Sequence, residues 1–179
     1  MGRGPISEHQ DSGELLRRVR RGSVEALGEL YRAHADSVYT LALRLTGSRA
    51  DAEDVLHDVF LGLARAAASY HEHGRFAAWL GRIAARAALM RMRARRRKRE
   101  SPLEEAGSAA VTHGADPVDR IALEQALARL PAPLRVVFVL KEIEGYSHEE
   151  IGGMLGITAA NSAQRLSRAW KQLRREMTR

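Results

Sequence analysis

The sequence contains no cysteine and few aromatic residues. The absence of cysteine excludes disulfides, thiol catalysis, zinc ribbons and iron–sulfur clusters. Aromatic residues make up 5% of the 179 residues, so we expect a core built mainly from leucine, valine, isoleucine and alanine. A chain without cysteine also suits a reducing compartment, and the cytoplasm is the localisation that we expect.

Long apolar runs and enzymatic motifs are missing as well. No run approaches the ~20 apolar residues of a membrane-spanning helix, so no membrane insertion is expected. The first ten residues include Arg3 but no apolar segment, which is unlike a signal peptide, and we expect residues 1–11 to be disordered. Because no nucleophile, catalytic triad or nucleotide-binding motif is found, we expect neither an enzyme nor a cofactor.

The chain is strongly basic, with a formal net charge of +7. This favours a polyanionic partner, most often a nucleic acid and less often an anionic membrane surface, against the alternative of a merely soluble basic protein. Seven of the nine residues 91–99 are arginine or lysine. That density predicts phosphate neutralisation. The alternatives are a solvated helix end favoured by the helix dipole and a nuclear localisation patch.

Helical periodicity runs through almost the whole chain, and strand signals are nearly absent. Between residues 11 and 35 the pattern predicts two short amphipathic helices separated at Gly22 and Ser23, and a third helix over residues 35–45. Ser48 precedes Asp51 by three residues, which resembles a capping box at the start of a further helix. The apolar positions of that helix include Val55, so its acidic residues lie on the opposite face.

Residues 100–117 are polar and rich in glycine, serine and alanine, which predicts a flexible linker. The fold class is therefore all-α, with two small helical domains at residues 12–99 and 118–177. In the second domain Pro133 fits the first turn of a helix, and Ser147 with Glu150 forms a capping box. Gly156 ends that short helix and Thr158 begins a longer basic one. This order is typical of a helix-turn-helix unit.

Three local clusters have alternative interpretations. The acidic face around Asp51 could bind a metal or act in acid–base catalysis, but it lacks paired ligands at fixed spacing, so docking of a basic partner is the better interpretation. His71 and His73 form a His-x-His pair without the further ligands that a metal needs, and no metal site is expected. Trp79 could stack on an unpaired base or simply pack in the core.

Two longer stretches resemble a known family. Residues 51–98, DAEDVLHDVFLGLARAAASYHEHGRFAAWLGRIAARAALMRMRARRRK, resemble region 2 of bacterial RNA polymerase sigma factors of the extracytoplasmic-function (ECF) group. Residues 127–158, LARLPAPLRVVFVLKEIEGYSHEEIGGMLGIT, together with residues 165–173, RLSRAWKQL, resemble their region 4, with no extra middle domain between. The resemblance implies a factor that binds core RNA polymerase, directs it to promoters and helps to open the duplex.

The resemblance also implies binding sites. The acidic helix matches the segment that docks on the clamp helices of the largest polymerase subunit, through Asp51, Glu53, Asp54, Val55, Asp58 and Phe60. The loop after residue 69 and the following helix match the part that captures a flipped base of the −10 element and holds the displaced strand, through Tyr70, His71, Arg75, Trp79, Arg82, Arg86 and Met90. The linker in this family runs towards the RNA exit path.

Region 4 of the family reads the −35 element in the major groove and rests on the flap of the second-largest subunit. The matching DNA-binding positions are Lys141, His148, Glu149, Asn161, Gln164, Arg165, Ser167 and Arg168. Among them Gln164 can read adenine and Arg168 guanine, while Leu166, Ala169 and Leu173 form the inner face. Members of this group usually have an anti-sigma factor, and we expect a monomer when the protein is free of polymerase.

The chain departs from the family pattern at several positions. Arg86 stands where an asparagine is usual and Met90 where a short polar residue is usual, so the family's −10 preference does not carry over. Ser162 replaces a core valine, which weakens hydrophobic packing, but its hydroxyl can bond back to a carbonyl one turn earlier. Ala163 replaces a basic residue that often faces DNA. Gly152 and its neighbour Gly153 should each cost up to ~1 kcal/mol, which predicts a region 4 that is less stable, or more dependent on polymerase, than is usual.

Two other functions remain open at this point. The chain could be a helix-turn-helix repressor or activator that binds duplex DNA as a dimer without polymerase. It could also be a sigma-like interaction protein that has lost promoter reading.

Overall fold

The computed structural model describes residues 6–70, 76–100 and 118–177, and within them all regular structure is helical. The helices are α1 (Ile6–Arg20), α2 (Val24–Thr46), α3 (Arg49–Leu61), α4 (Leu63–Ala66), α5 (Phe76–Glu100), α6 (Val118–Arg129), α7 (Ala132–Phe138), α8 (His148–Leu155) and α9 (Ala159–Met177). A 3₁₀ turn (Ala67–Ser69) follows α4, and a π-helical turn (Val139–Ile143) continues α7. The predicted all-α class is confirmed, and no described helix is long and apolar enough to cross a membrane.

The N-terminal half (residues 6–100) is built around α2, which packs against α1, α3 and α5. The sequence predicted two helices where α2 is one helix of 23 residues, so that prediction is wrong. Ser23 caps its start by accepting a hydrogen bond from the Ala26 amide, and Gly47 ends it with φ +68°. Between these caps Leu30 and Val38 are both buried and no proline or local capping signal interrupts them, so one amphipathic face runs the whole length.

The start of α3 follows the predicted cap only in part. The Ser48 side chain accepts a hydrogen bond from the Asp51 amide at 3.3 Å. The Asp51 carboxylate does not return this bond to the backbone of Ser48. It pairs instead with Arg91 and Arg95 on α5, so the side chain that the pattern assigned to a cap joins two helices.

The C-terminal half (residues 118–177) has the predicted helix-turn-helix. Pro133 lies in the first turn of α7, and both hydrogen bonds of the capping box formed by Ser147 and Glu150 are present. Gly156 ends α8 with φ +68°, and the Thr158 hydroxyl accepts from the amide of Asn161 at the start of α9. These sequence predictions are confirmed.

The last turn of the α7 segment was not predicted. From Val139 the hydrogen bonding widens to the π pattern, and the Glu144 amide bonds to the Val139 carbonyl at 3.0 Å. The chain then turns at Gly145, which has φ +75°. The wider turn ends the helix and directs residues 144–147 towards the start of α8.

The buried core continues from one half into the other. One cluster contains residues of α1 to α5 together with Val136, Val137, Val139, Leu140 and Ile151 of the C-terminal half. A second cluster joins α6, α7 and α9 through residues that include Leu127, Phe138 and Leu173. The α7 segment therefore packs on both sides, against α2 and against α9.

Polar contacts accompany this shared core. The buried Arg135 donates from Nη2 to the Leu45 carbonyl at 3.4 Å, and burial lowers the pKa of its guanidinium. Arg44 donates from Nε to Glu124 at 2.9 Å. The predicted linker at residues 100–117 lies almost wholly outside the described residues, and the domain boundaries stay a prediction.

Candidate nucleic-acid interface

Helix α9 presents a polar face on the side opposite its buried residues. Ala169 and Leu173 are fully buried and Leu166 is partly buried, so the predicted inner face is confirmed. The predicted base-reading residues Gln164 and Arg168 are exposed and four residues apart, so they share one face of the helix. An exposed face of this kind on the second helix of a helix-turn-helix has the shape that enters a major groove.

The same face contains a side-chain pair. Arg165 donates from Nε to the Oδ1 of Asn161 at 2.9 Å, one helical turn apart. The bond orders the Arg165 guanidinium along the helix. Ser167 is exposed on the same helix.

The predicted DNA-binding residues that precede α9 lie on two elements, α8 and the π-helical turn. His148 and the exposed Glu149 form the first turn of α8, and Lys141 lies half-buried on the π-helical turn. The Nδ1 of His148 lies 3.0 Å from the hydroxyl of Ser162, which is completely buried. The expected bond from Ser162 to a carbonyl one turn earlier is replaced by this contact, because the first residue of α8 reaches the same hydroxyl across the turn.

Helix α5 carries a second exposed face. Arg82, Arg86 and Met90 follow one another at intervals of four residues and are all exposed, Met90 by 67%. Trp79 precedes them on the same side and is half-buried. The spacing therefore places these four predicted −10 residues in one row along the helix.

An aromatic cluster supports the start of this row. The ring of Tyr70 contacts Trp79 edge-on with centroids 5.1 Å apart, and it contacts Phe76 at 5.8 Å. Phe76 is fully buried, so the cluster is anchored in the core. Trp79 thus packs against the core with part of its surface still accessible. The predicted residues His71 and Arg75 lie outside the described residues, as does His73.

The acidic face of α3 is only partly free. Arg91 pairs with both Asp51 and Asp54, and Arg95 donates to Asp51 at 2.6 Å. Burial alone would raise the pKa of Asp51, but the hydrogen bonds from Arg95 and Arg91 together outweigh it and lower that pKa. Glu53 is exposed and remains on the surface.

Two residues assigned to polymerase binding do not lie on the surface. Val55 is 1% exposed and Phe60 is 5% exposed, so both belong to the core and cannot form the contact surface themselves. The apolar residue that does reach the surface is Leu61, which is 76% exposed. It lies on the same helix as the exposed Asp58, and the sequence interpretation missed it. An apolar residue at the end of an otherwise amphipathic helix was the available signal.

The basic run of α5 is also engaged within the chain. Arg91 and Arg95 pair with α3, and Arg93 donates to the carbonyl of Met154 at the end of α8. Arg97 is exposed. The run therefore joins helices within the chain, which none of the three sequence interpretations described. In the described part of the chain, no group of three or more His, Asp or Glu side chains could hold a metal ion.

Comparisons with known proteins agree with this geometry. Residues 30–98 match the family model of sigma-70 region 2, and residues 120–173 match that of sigma-70 region 4. The ECF RNA polymerase sigma factor SigE of Mycolicibacterium smegmatis is 38% identical over 159 residues, which cover 82% of this chain and 59% of that protein. SigM of Mycobacterium tuberculosis, another ECF sigma factor, is 32% identical over 175 residues, covering 98% of this chain and 88% of that protein.

A solved structure has a similar fold. The sigma factor RpoE of Bartonella quintana, in complex with the anti-sigma factor NepR, has a TM-score of 0.65 at 22% identity, over 87% of this chain and 98% of that one. Together, the two family matches define a protein with sigma-70 regions 2 and 4. Within that class, the chain belongs to the ECF RNA polymerase sigma factors.

Proposed function

We propose that this protein binds core RNA polymerase in the cytoplasm, directs it to promoters with a −35 and a −10 element, and helps to melt the DNA. One observation carries the proposal: the same chain has a helix-turn-helix with an exposed face on α9 and a separate helix, α5, with the exposed row that begins at Trp79. A duplex-binding regulator needs only the first of these surfaces. The protein acts by binding, without catalysis of its own.

The polymerase contact involves the exposed part of α3. Glu53 and Asp58 supply negative charge, and Leu61 supplies apolar area next to them. Asp51 and Asp54 are already paired with Arg91, so they position α3 against α5 rather than contribute free charge. The partner surface is then the clamp helices of the largest subunit, to which the charge is complementary. The C-terminal half rests on the flap of the second-largest subunit.

The −10 element is captured beside the aromatic cluster. Tyr70 and Trp79 offer ring surface on which an unpaired base of the non-template strand can stack, together with His71 and Arg75. Arg82 and Arg86 hold phosphates of the displaced strand along the exposed row. Because Met90 is apolar and exposed, its contact is with a base or sugar rather than with phosphate.

The −35 element is read by α9. Gln164 and Arg168 face base edges, while Asn161, Arg165 and Ser167 contact bases or phosphates around them. His148, Glu149 and Lys141 approach the same duplex from the preceding elements. An anti-sigma factor is a further partner, since the sigma factor RpoE with a similar fold was solved with one.

One experiment tests the proposal against its alternatives. The purified protein is added to core polymerase, and transcripts are collected from a pool of randomised promoters. Enrichment of one −35 and −10 pair is expected. Polymerase binding without promoter-dependent transcripts would contradict the proposal in favour of a sigma-like interaction protein, and tight duplex binding without polymerase would favour a helix-turn-helix regulator.

A variant pair links the readout to α9. Gln164→Ala combined with Arg168→Ala should abolish the −35 enrichment and leave polymerase binding intact. Gln125→Ala, an exposed residue of α6, is the matched control and should leave the enriched sequence unchanged. Retention of the same −35 sequence in the first variant would show that α9 is not the reader.

A further inference from the structure

We propose that Ser162 is a positioning residue, which holds the imidazole of His148 so that it donates a hydrogen bond to a phosphate of the −35 duplex. This inference rests on the proposed function. It begins with a fully buried hydroxyl on α9 and the first residue of α8, whose Nδ1 lies 3.0 Å from that hydroxyl. The two residues belong to different helices and are 14 positions apart, so the contact is not a by-product of helix geometry.

The Ser162 side chain is fully buried, so its hydroxyl needs a partner within the protein. A buried hydroxyl without a hydrogen-bond partner lowers the stability of a protein by about 1–3 kcal/mol, so such hydroxyls almost always have a partner. The Ser162 amide is occupied by the Thr158 carbonyl at 3.0 Å, which is the ordinary bond of the first helical turn. The hydroxyl itself is bonded to His148, and this bond fixes both the position of the ring and the direction in which it faces.

We assign the hydroxyl of Ser162 as the donor in this contact. The ring proton of the neutral imidazole then lies on Nε2. The two nitrogens lie on opposite sides of the ring, so Nε2 then faces away from Ser162. Because His148 is only half-buried, this N–H is accessible beside the exposed face of α9. A fixed N–H donor next to a major-groove helix is suited to a phosphate oxygen, a contact that positions the helix on the duplex.

Serine at this position orients the imidazole but buries less apolar surface than valine would. A valine at this position would bury more apolar surface between α8 and α9 but could not orient the imidazole. We therefore expect removal of the hydroxyl to weaken promoter binding through His148, whether or not it changes the stability of the protein.

The test compares four variants in polymerase holoenzyme on a promoter with the selected −35 element. Ser162→Ala and His148→Ala should each weaken promoter binding by about two- to tenfold, the range for loss of one hydrogen bond. The double variant should be no weaker than His148→Ala alone. Ser162→Thr keeps the hydroxyl and should restore binding.

A spectroscopic measurement separates positioning from packing. In ¹⁵N spectra of the free protein, the His148 imidazole should carry its proton on Nε2, and Ser162→Ala should remove this preference. Additive losses in the double variant, or an unchanged ring signal in Ser162→Ala, would overturn the inference. The spectra need no polymerase, so failure of the holoenzyme to initiate would contradict the proposed function and still leave the ring signal to decide the positioning.

Discussion

Arg135 and Leu45 are 90 residues apart in the chain, and the guanidinium Nη2 of the first donates to the carbonyl of the second at 3.4 Å. Leu45 lies in the last turn of α2, where carbonyls lack helical partners. The other terminal nitrogen of Arg135 donates to Leu130 at 3.3 Å, just after the end of α6. A single cation therefore lies at the carboxyl ends of two helices from different halves, which is where helix dipoles favour positive charge.

This arrangement predicts that Arg135→Ala destabilises both halves together. The change removes donors from buried carbonyls and leaves a cavity, which should lower the free energy of unfolding by about 2–4 kcal/mol. Chemical denaturation followed by helix content measures the effect. Arg129→Ala removes an exposed ion pair with Glu176 and is the control, with an expected change under about 0.5 kcal/mol. Equal effects would show that Arg135 does not join the halves.

The two adjacent glycines of α8 should behave in opposite ways. A Cβ at Gly152 would lie 2.7 Å from the Ile157 carbonyl, so this glycine permits the close turn into α9, and Gly152→Ala should destabilise the protein. Gly153 has open space around it, so Gly153→Ala should stabilise the helix by about 0.5–1 kcal/mol. Thermal unfolding of the pair measures both signs. Stabilisation by both variants would contradict the close approach at Gly152.

That contrast shows where the sequence was informative and where it was not. Helix ends in the C-terminal half were predicted correctly because caps are local: Ser147, Gly156 and Thr158 each act within a few residues. The cost assigned to Gly152 was wrong because the Ile157 carbonyl approaches it only after the turn folds back. Helix propensity gives the average cost of a glycine in a helix, but it does not reveal a backbone carbonyl that packs closely against that glycine.

Two further differences between the sequence interpretation and the structure concern α3. Periodicity placed Asp51 on a polar face, which is correct, but it could not reveal that Arg91 and Arg95 would pair with it from 40 and 44 residues away. The same periodicity placed Val55 in the core, and the structure agrees. The resemblance then assigned that residue to a binding surface, because a matched segment does not distinguish the residues that shape a helix from those that touch a partner.

The Asp51 cluster predicts a pH dependence of stability. The folded protein holds the pKa of Asp51 below its unfolded value of about 4, so the ionised form is favoured by folding. The stabilisation is complete above that value and is lost as the pH falls through the folded pKa. Asp51→Asn should therefore destabilise the protein at pH 7 and reduce the loss of stability on acidification. Unfolding curves between pH 7 and pH 2 measure the difference.

The control for this prediction is Asp58→Asn on the same helix. Asp58 is exposed and has no ion pair within the described residues. Its replacement should leave the pH dependence of the unfolding free energy unchanged. If both variants change the pH dependence of the unfolding free energy equally, the acid sensitivity comes from net charge rather than from the cluster with Arg91 and Arg95.

Tyr70→Ala should impair DNA opening more than formation of the closed complex. The ring lies at the start of the exposed row on α5, and loss of base stacking worth about 1–3 kcal/mol corresponds to roughly a 5- to 150-fold loss of open complex. Permanganate reactivity of unpaired thymines measures opening, and binding to a promoter at low temperature measures the closed complex. Tyr70→Phe keeps the ring contacts with Phe76 and Trp79 and should open DNA almost normally. Equal loss of both complexes would contradict the assignment of the base-stacking site.

Ala163→Lys should strengthen binding to the −35 element. Ala163 is exposed on α9 beside Gln164, at the position where the family often has a basic residue. A new charge-assisted contact with phosphate of about 1.5 kcal/mol corresponds to roughly tenfold tighter binding. It should also steepen the dependence of log affinity on log salt by about one, since one more phosphate is neutralised. Gln125→Lys adds the same charge on α6 and should change neither quantity. An unchanged affinity and salt dependence for Ala163→Lys would mean that α9 enters the groove with a different face.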